Sequence, residues 1–310
     1  MIIPVEVKAA GLYQIEVEHA DGTVDTYPWM KNIILDQGLS MGNLFNWYSA
    51  CMGSAYIGTG GTAPLTTDTA LEAQYAVVAR EVNGTKVTGQ GQIDADAGNA
   101  MYSFYRGTFQ FPAVASEVII KECGIGTDPT SKLLTRSRLS VDGVDVDLSL
   151  VTGDILKLTY EIRIYPPTET VVSIVNLNGD PETPITVTVY PNDIDGGGWS
   201  GGRSNNQNTN TFFSTAYLVL WTGTVPPATP TDSGTNTDSW WKVPYPSLTQ
   251  TAGLDNANWA GGIDGGNIYW YNQTVNTCSW VFTLSPPLMK DNTMIATVSA
   301  SIIPTRFTYP

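Results

Sequence analysis

The stretch ILKLTYEIRIY, from Ile155 to Tyr165, alternates strictly. Leu156, Leu158, Tyr160, Ile162 and Ile164 fall on one side, while Lys157, Thr159, Glu161 and Arg163 fall on the other. A period of two places successive side chains on opposite faces of an extended chain, whereas a helix would scatter these apolar residues around its circumference. The segment therefore reads as a strand with one face on a core and one face in water. The same alternation recurs at residues 13–18, 144–150, 185–190 and 296–302. Only residues 35–48 read as a helix, with Leu35, Leu39, Met41, Phe45 and Tyr48 near helical spacing and Asp36 as its cap; Gly38 and Gly42 weaken it. The pattern predicts an all-β protein of antiparallel, β-sandwich-like domains carrying one short helix in the first.

At 310 residues the chain is long enough for two ordinary domains. Pro166 and Pro167 follow the strongest strand and cannot continue a central one, so a boundary is expected there. The division is into residues 1–167 and residues 171–310. Composition changes at the same point. Beyond Thr170 the cations are Arg203, Lys242, Lys290 and Arg306, and Trp199, Trp221, Trp240, Trp241, Trp259, Trp270 and Trp280 all lie in this second part.

Lys and Arg total 15 against 29 Asp and Glu, a formal charge of −14, with no cluster of cations. Phosphate backbones and anionic membranes are both bound through clustered Lys and Arg, so neither nucleic acid nor a membrane surface is an expected partner. No stretch reaches the roughly 18 apolar residues of a membrane span. Cys51, Cys123 and Cys278 lie far apart and are odd in number, which fits small buried side chains better than a disulfide scaffold or a zinc site. The one histidine, His19, sits among charged residues with no catalytic companion near it in sequence.

Gly58, Gly60 and Ala63 match the spacing G-x-G-x-x-A of a dinucleotide-binding turn. The match fails in context, because Pro64 and a run of threonines replace the helix whose first amides must face the pyrophosphate. The glycines instead read as a tight turn whose backbone angles other residues would resist, with Thr66, Thr67 and Asp68 bonding to nearby amides. An EF-hand beginning at Asp193 fails as well, since Ser204 stands where a carboxylate is needed and Gly197 offers no ligand. The carboxylates Asp193 with Asp195, Asp232 with Asp238, and Asp255 with Asp264 can be imagined as glycosidase pairs, yet spacing in sequence does not set them across a substrate. No cofactor, no metal and no catalytic residues are expected. Trp199, Trp240, Trp241, Trp259, Tyr269, Trp270 and Tyr271 lie in or beside loops rich in Gly, Asn and Asp, so they are candidate contacts for a glycan or a protein partner, or else they pack one another in a core poor in Leu and Ile.

Five segments stand in a recognisable order: KNIILDQGLSMG, YIGTGGTAPLTTDTALEAQ, FPAVASEVIIKECGIGT, LLTRSRL and TGDILKLTYEIRIYP. In that order they resemble a widespread group of tailed-bacteriophage structural proteins, tail-fibre and minor tail proteins, over about residues 1–167. The resemblance implies a β domain that attaches to the phage particle and repeats around its axis, with other virion proteins and further copies of the same chain as partners and no catalytic residues. Its implied location is the virion, in the tail, baseplate or fibre-attachment region. A receptor-binding adhesin for host surface polysaccharide, or a capsid decoration or head fibre protein, is the alternative.

Overall fold

The structure is a computed structural model that describes residues 1–40, 52–80, 86–92, 101–128, 133–165, 171–176, 182–192, 216–221, 247–252, 261–272 and 275–307. The fold is all-β and sandwich-like, built from antiparallel sheets with one short helix. In chain order the elements begin with β1 (Ile2–Glu18), β2 (Val24–Thr26), β3 (Met30–Ile34), α1 (Asp36–Ser40), β4 (Ser54–Gly58), β5 (Gln74–Ala79), β6 (Lys86–Gln92) and β7 (Met101–Gln110). They continue with β8 (Val118–Ile120), β9 (Glu122–Gly126), β10 (Leu133–Arg138), β11 (Ser140–Val141), β12 (Val144–Asp145), β13 (Leu148–Leu150) and β14 (Ile155–Tyr165). After these come β15 (Val171–Asn176), β16 (Pro184–Asn192), β17 (Ala216–Trp221), β18 (Ser247–Ala252), β19 (Ile263–Asn272), β20 (Val275–Leu288) and β21 (Ala296–Arg306).

Two compact units divide the chain. One gathers Lys8–Gly91, Tyr102–Tyr165 and Pro304–Pro310, and the other Met1–Val7, Gln92–Met101 and Pro166–Ile303. A change of unit falls between Tyr165 and Pro166, while the first and last residues of the chain each cluster with the unit remote from them in sequence.

In the unit that begins at Lys8 the strands run β5-β4-β9-β10-β3-β1-β14-β7-β6. One sheet of the fold is nearly closed, and the end strands β5 and β6 of this one are consecutive in sequence. Arg80, just past β5, donates from Nη1 to the Tyr105 hydroxyl at 3.1 Å and so links one end of the sheet to β7, the neighbour of β6 at the other. The alternation in β14 fills the interior. Tyr160, Leu158 and Leu156 stand opposite Tyr13, Ile15 and Val17 of β1, and all six are buried. Phe109 and Tyr105 of β7, opposite Leu158 and Ile162, close the same core. Burial of each such side chain is worth about 1.5–3 kcal/mol, which is why this face is fixed.

Two expectations change. Glu161, read as a water-facing residue, is buried: its cross-strand neighbour Arg106 donates to Oε2 from Nε at 3.0 Å, and Arg163 donates to Oε1 at 2.5 Å. The segment 144–150 is not one strand but two short ones, because the Arg138 guanidinium gathers the Val146 carbonyl and the Asp147 carboxylate and bends the chain around itself. The helix starts at Asp36 and is described to Ser40; the rest of the expected span to residue 48 lies outside the described residues. Gly38 is required there, since a Cβ would collide with the Leu134 carbonyl.

The other unit contains a sheet ordered β15-β16-β20-β19-β17, with β18 paired to β21. Ile185, Val187 and Val189 of β16, with Phe282 and Leu284 of β20, form its buried face.

Candidate functional site

Side chains of β9 and β10 meet the end of β4 and the loop that follows it. Glu122 enters from β9, Arg136 from β10 and Gly58 from the end of β4, where Gly58 stands opposite Glu122 in the sheet. Glu122 and Arg136 are both buried. Arg136 Nε donates to Glu122 Oε2 at 2.9 Å, and its Nη1 donates to Asp68 Oδ2 at 2.5 Å. Glu122 and Arg136 are diagonal neighbours rather than direct partners. The residue opposite Arg136 is Gly124, which has no side chain to compete for the space.

Glu122 also collects three backbone amides. Its Oε1 accepts from Ala73 at 2.8 Å and Gly60 at 3.2 Å, and its Oε2 accepts from Glu72 at 3.1 Å. Arg136 Nη2 reaches the Thr62 hydroxyl at 3.1 Å, while Glu72 accepts from the Thr62 amide at 2.8 Å and Asp68 from the Leu65 amide at 2.8 Å. Partial burial pushes the Asp68 carboxyl up, but the Leu65 amide and Arg136 outweigh it and hold the group below the usual carboxylate range. Thr62, Asp68, Glu72, Glu122 and Arg136 thus act together on one strip of main chain, residues 58–73.

What this network holds in place is a loop tip. Ala63 and Leu65 are exposed, Leu65 by 63%, while Asp68 and Arg136 beneath them are engaged with the backbone. The Thr66 carbonyl accepts from the Asp36 amide at 2.7 Å, which seats the start of α1 against the loop. Gly58 and Gly60 serve close approach rather than unusual angles, and Gly61 serves neither, which corrects the reading of this turn. Among the described residues the left-handed glycines are Gly22, Gly143, Gly153 and Gly262, not Gly58, Gly60 or Gly61.

Of the aromatic candidates, Trp199, Trp240, Trp241 and Trp259 lie outside the described residues. Tyr269, Trp270 and Tyr271 lie inside strand β19, which is paired on both sides, and not in a loop. The pairing with β20 slips between Tyr269 and Trp270, passing from Ser279 to Thr277. Asp264 is half-buried on the same strand, and its imagined partner Asp255, like Asp193, Asp195, Asp232 and Asp238, lies outside the described residues. Cys123 is free and buried, and burial followed by the neighbouring Glu122 pushes its thiol far up, out of the reactive range.

His19 has companions that its sequence neighbourhood did not reveal. Its Nε2 lies 3.1 Å from Asp25 Oδ2, and its Nδ1 lies 3.1 Å from Oδ1 of the buried Asp154, 135 residues away. Both ring nitrogens face carboxylates, so the protonated ring donates to both and has no lone pair to offer a substrate. The bonds to Asp25 and Asp154 raise the His19 pKa above its ordinary value. Asp154 is lowered, first by the Val151 amide and then by His19. The stabilising effect of the raised histidine is complete below about pH 6.5 and is lost as pH rises through its higher folded value; that of Asp154 is lost as pH falls through its depressed value. Since the chain has one histidine, its Cε1 proton gives a single NMR titration curve. The expected midpoint lies above about 6.5 and falls in Asp25→Asn; an unperturbed midpoint in the intact chain would show that the bridge does not form.

Among the described residues no group of three or more His, Cys, Asp and Glu is arranged to hold a metal ion, and no helix is long and apolar enough to cross a membrane. No family model, curated protein or solved structure matches the chain.

Proposed function

We propose that the chain is a structural component of a tailed-phage virion, in the tail, baseplate or fibre-attachment region, acting by assembly with other virion proteins and with copies of itself. The observation behind this reading is the convergence of the Gly-Thr-Gly, Thr-Thr-Asp, Ile-Lys-Glu and Thr-Arg segments into one buried network. That network's visible product is a rigid, partly apolar surface loop at Ala63–Pro64–Leu65. Buried charges that bind one another and the backbone are suited to fixing shape, whereas catalysis needs groups presented to a substrate. A rigid loop with an exposed Leu is suited to burial by a neighbouring protein.

Immunogold labelling of purified particles from the phage that encodes the chain tests this. Gold at a fixed position on the tail, baseplate or fibre base is the expected result. Gold on the head supports the capsid alternative instead. Absence of the chain from purified particles removes the virion reading altogether.

A further inference from the structure

Strand β15, VVSIVN, is the edge of its sheet, and among the described residues it pairs only with β16. Its six residues pair without a bulge, and they include no charged side chain and no proline. Natural edge strands are commonly protected by Lys, Pro or a bulge, and this one carries none of them. Val172 and Ile174 are 62% and 71% exposed, and they share a face with Thr186 and Thr188 of β16, so the outer surface here is uncharged as well as β-branched. On the opposite face the Ser173 hydroxyl is buried with no hydrogen-bond partner among the described residues.

From this edge we infer that β15 is a self-association strand, whose occupant is the β15 of a second copy in antiparallel, twofold register centred on Ser173. That register places Val172 of each copy opposite Ile174 of the other, so the exposed aliphatic side chains meet on one face. It places the two Ser173 residues opposite each other, where one hydroxyl donates to the other and the buried hydroxyls gain partners. Each chain carries −14, so most self-contacts set like charges together, and this strand brings none to the contact. A six-residue strand buries less than the roughly 1,200 Å² of a standard interface, so the association is weak and depends on concentration.

The contact specifies one means of self-assembly and rests on the virion reading only in that respect; it is tested on the isolated full chain, and its failure leaves the labelling of particles to decide location. Sedimentation velocity of the wild-type chain over a wide concentration range at physiological salt should show a reversible dimer. Ile174→Lys should weaken it by about tenfold or more while the far-ultraviolet circular dichroism stays unchanged, because the side chain is exposed and two cations are brought to the pairing edge. Ser173→Cys should form a disulfide-linked dimer under mild oxidation, with the wild-type chain as the control for the native cysteines. A wild-type chain that remains monomeric at every concentration overturns the inference. So does an association that Ile174→Lys leaves unchanged, since the contact must then lie elsewhere.

Discussion

Replacement of Glu122 by alanine is expected to destabilise its unit by about 3–5 kcal/mol, the usual cost of leaving one partner of a buried ion pair uncompensated. The loss is larger than that of a surface pair for reasons visible in the geometry. Without the carboxylate, the buried Arg136 retains Asp68 alone as a close ionic partner, and the amides of Gly60, Glu72 and Ala73 lose their acceptor at once. Glu122→Gln should recover part of the loss, because an amide oxygen still accepts some of these bonds while the charge is gone. Glu18→Ala is the comparison. It removes the 2.7 Å pair with Lys157, but both side chains are only partly buried and reach solvent, and the expected change is no more than about 1 kcal/mol. Chemical denaturation of the three variants decides the matter; a Glu122→Ala chain within about 1 kcal/mol of wild type would mean that the network follows the loop rather than holding it.

Much of the strand content was legible because burial on one face leaves a period of two in the sequence. The alternating residues of β14, the second half of β1, and the segments at 185–190 and 296–302 all became strands. The network at residues 58–73 was legible only in outline. VIIKECGIG and LLTRSRL each place two charges among apolar residues, Lys121 and Glu122 in one and Arg136 and Arg138 in the other, which is the available signal of a buried pair. Which charge meets which was not available, because Arg136 stands opposite Gly124 and reaches Glu122 diagonally, a fact of register and not of spacing. His19 shows the same limit more sharply. Its buried partner is 135 residues distant, brought near by the antiparallel pairing of β1 with β14 that sets Glu18 opposite Ile155. Glu161 departs from the expected pattern because alternation distinguishes the two faces of a strand but does not say that the polar one faces water; Arg106 and Arg163 cover it.

The three glycines of YIGTGG should respond unequally to alanine, in an order that no sequence rule supplies. A Cβ on Gly58 would lie 2.6 Å from the Ala73 carbonyl oxygen and 2.7 Å from Glu122 Oε1, one a backbone atom in the adjacent chain segment and the other held by the hydrogen bonds of its carboxylate. A Cβ on Gly60 would lie 2.5 Å from the Glu72 Cβ and collide with the same Glu122 oxygen. On Gly61 the nearest atom is the Lys121 Cδ at 4.0 Å, an ordinary contact with a flexible side chain. Gly58→Ala and Gly60→Ala should therefore each cost about 3 kcal/mol or more, since the clash forces apart the atoms that bind Glu122. Gly61→Ala should be neutral or stabilise by up to about 1 kcal/mol, because its φ is not left-handed and alanine restricts the unfolded chain. Melting temperatures of the three variants, with hydrogen exchange at residues 59–73, read both parts. Equal effects at all three positions would return these glycines to an ordinary flexible turn and remove close approach to Glu122 as the reason for the motif.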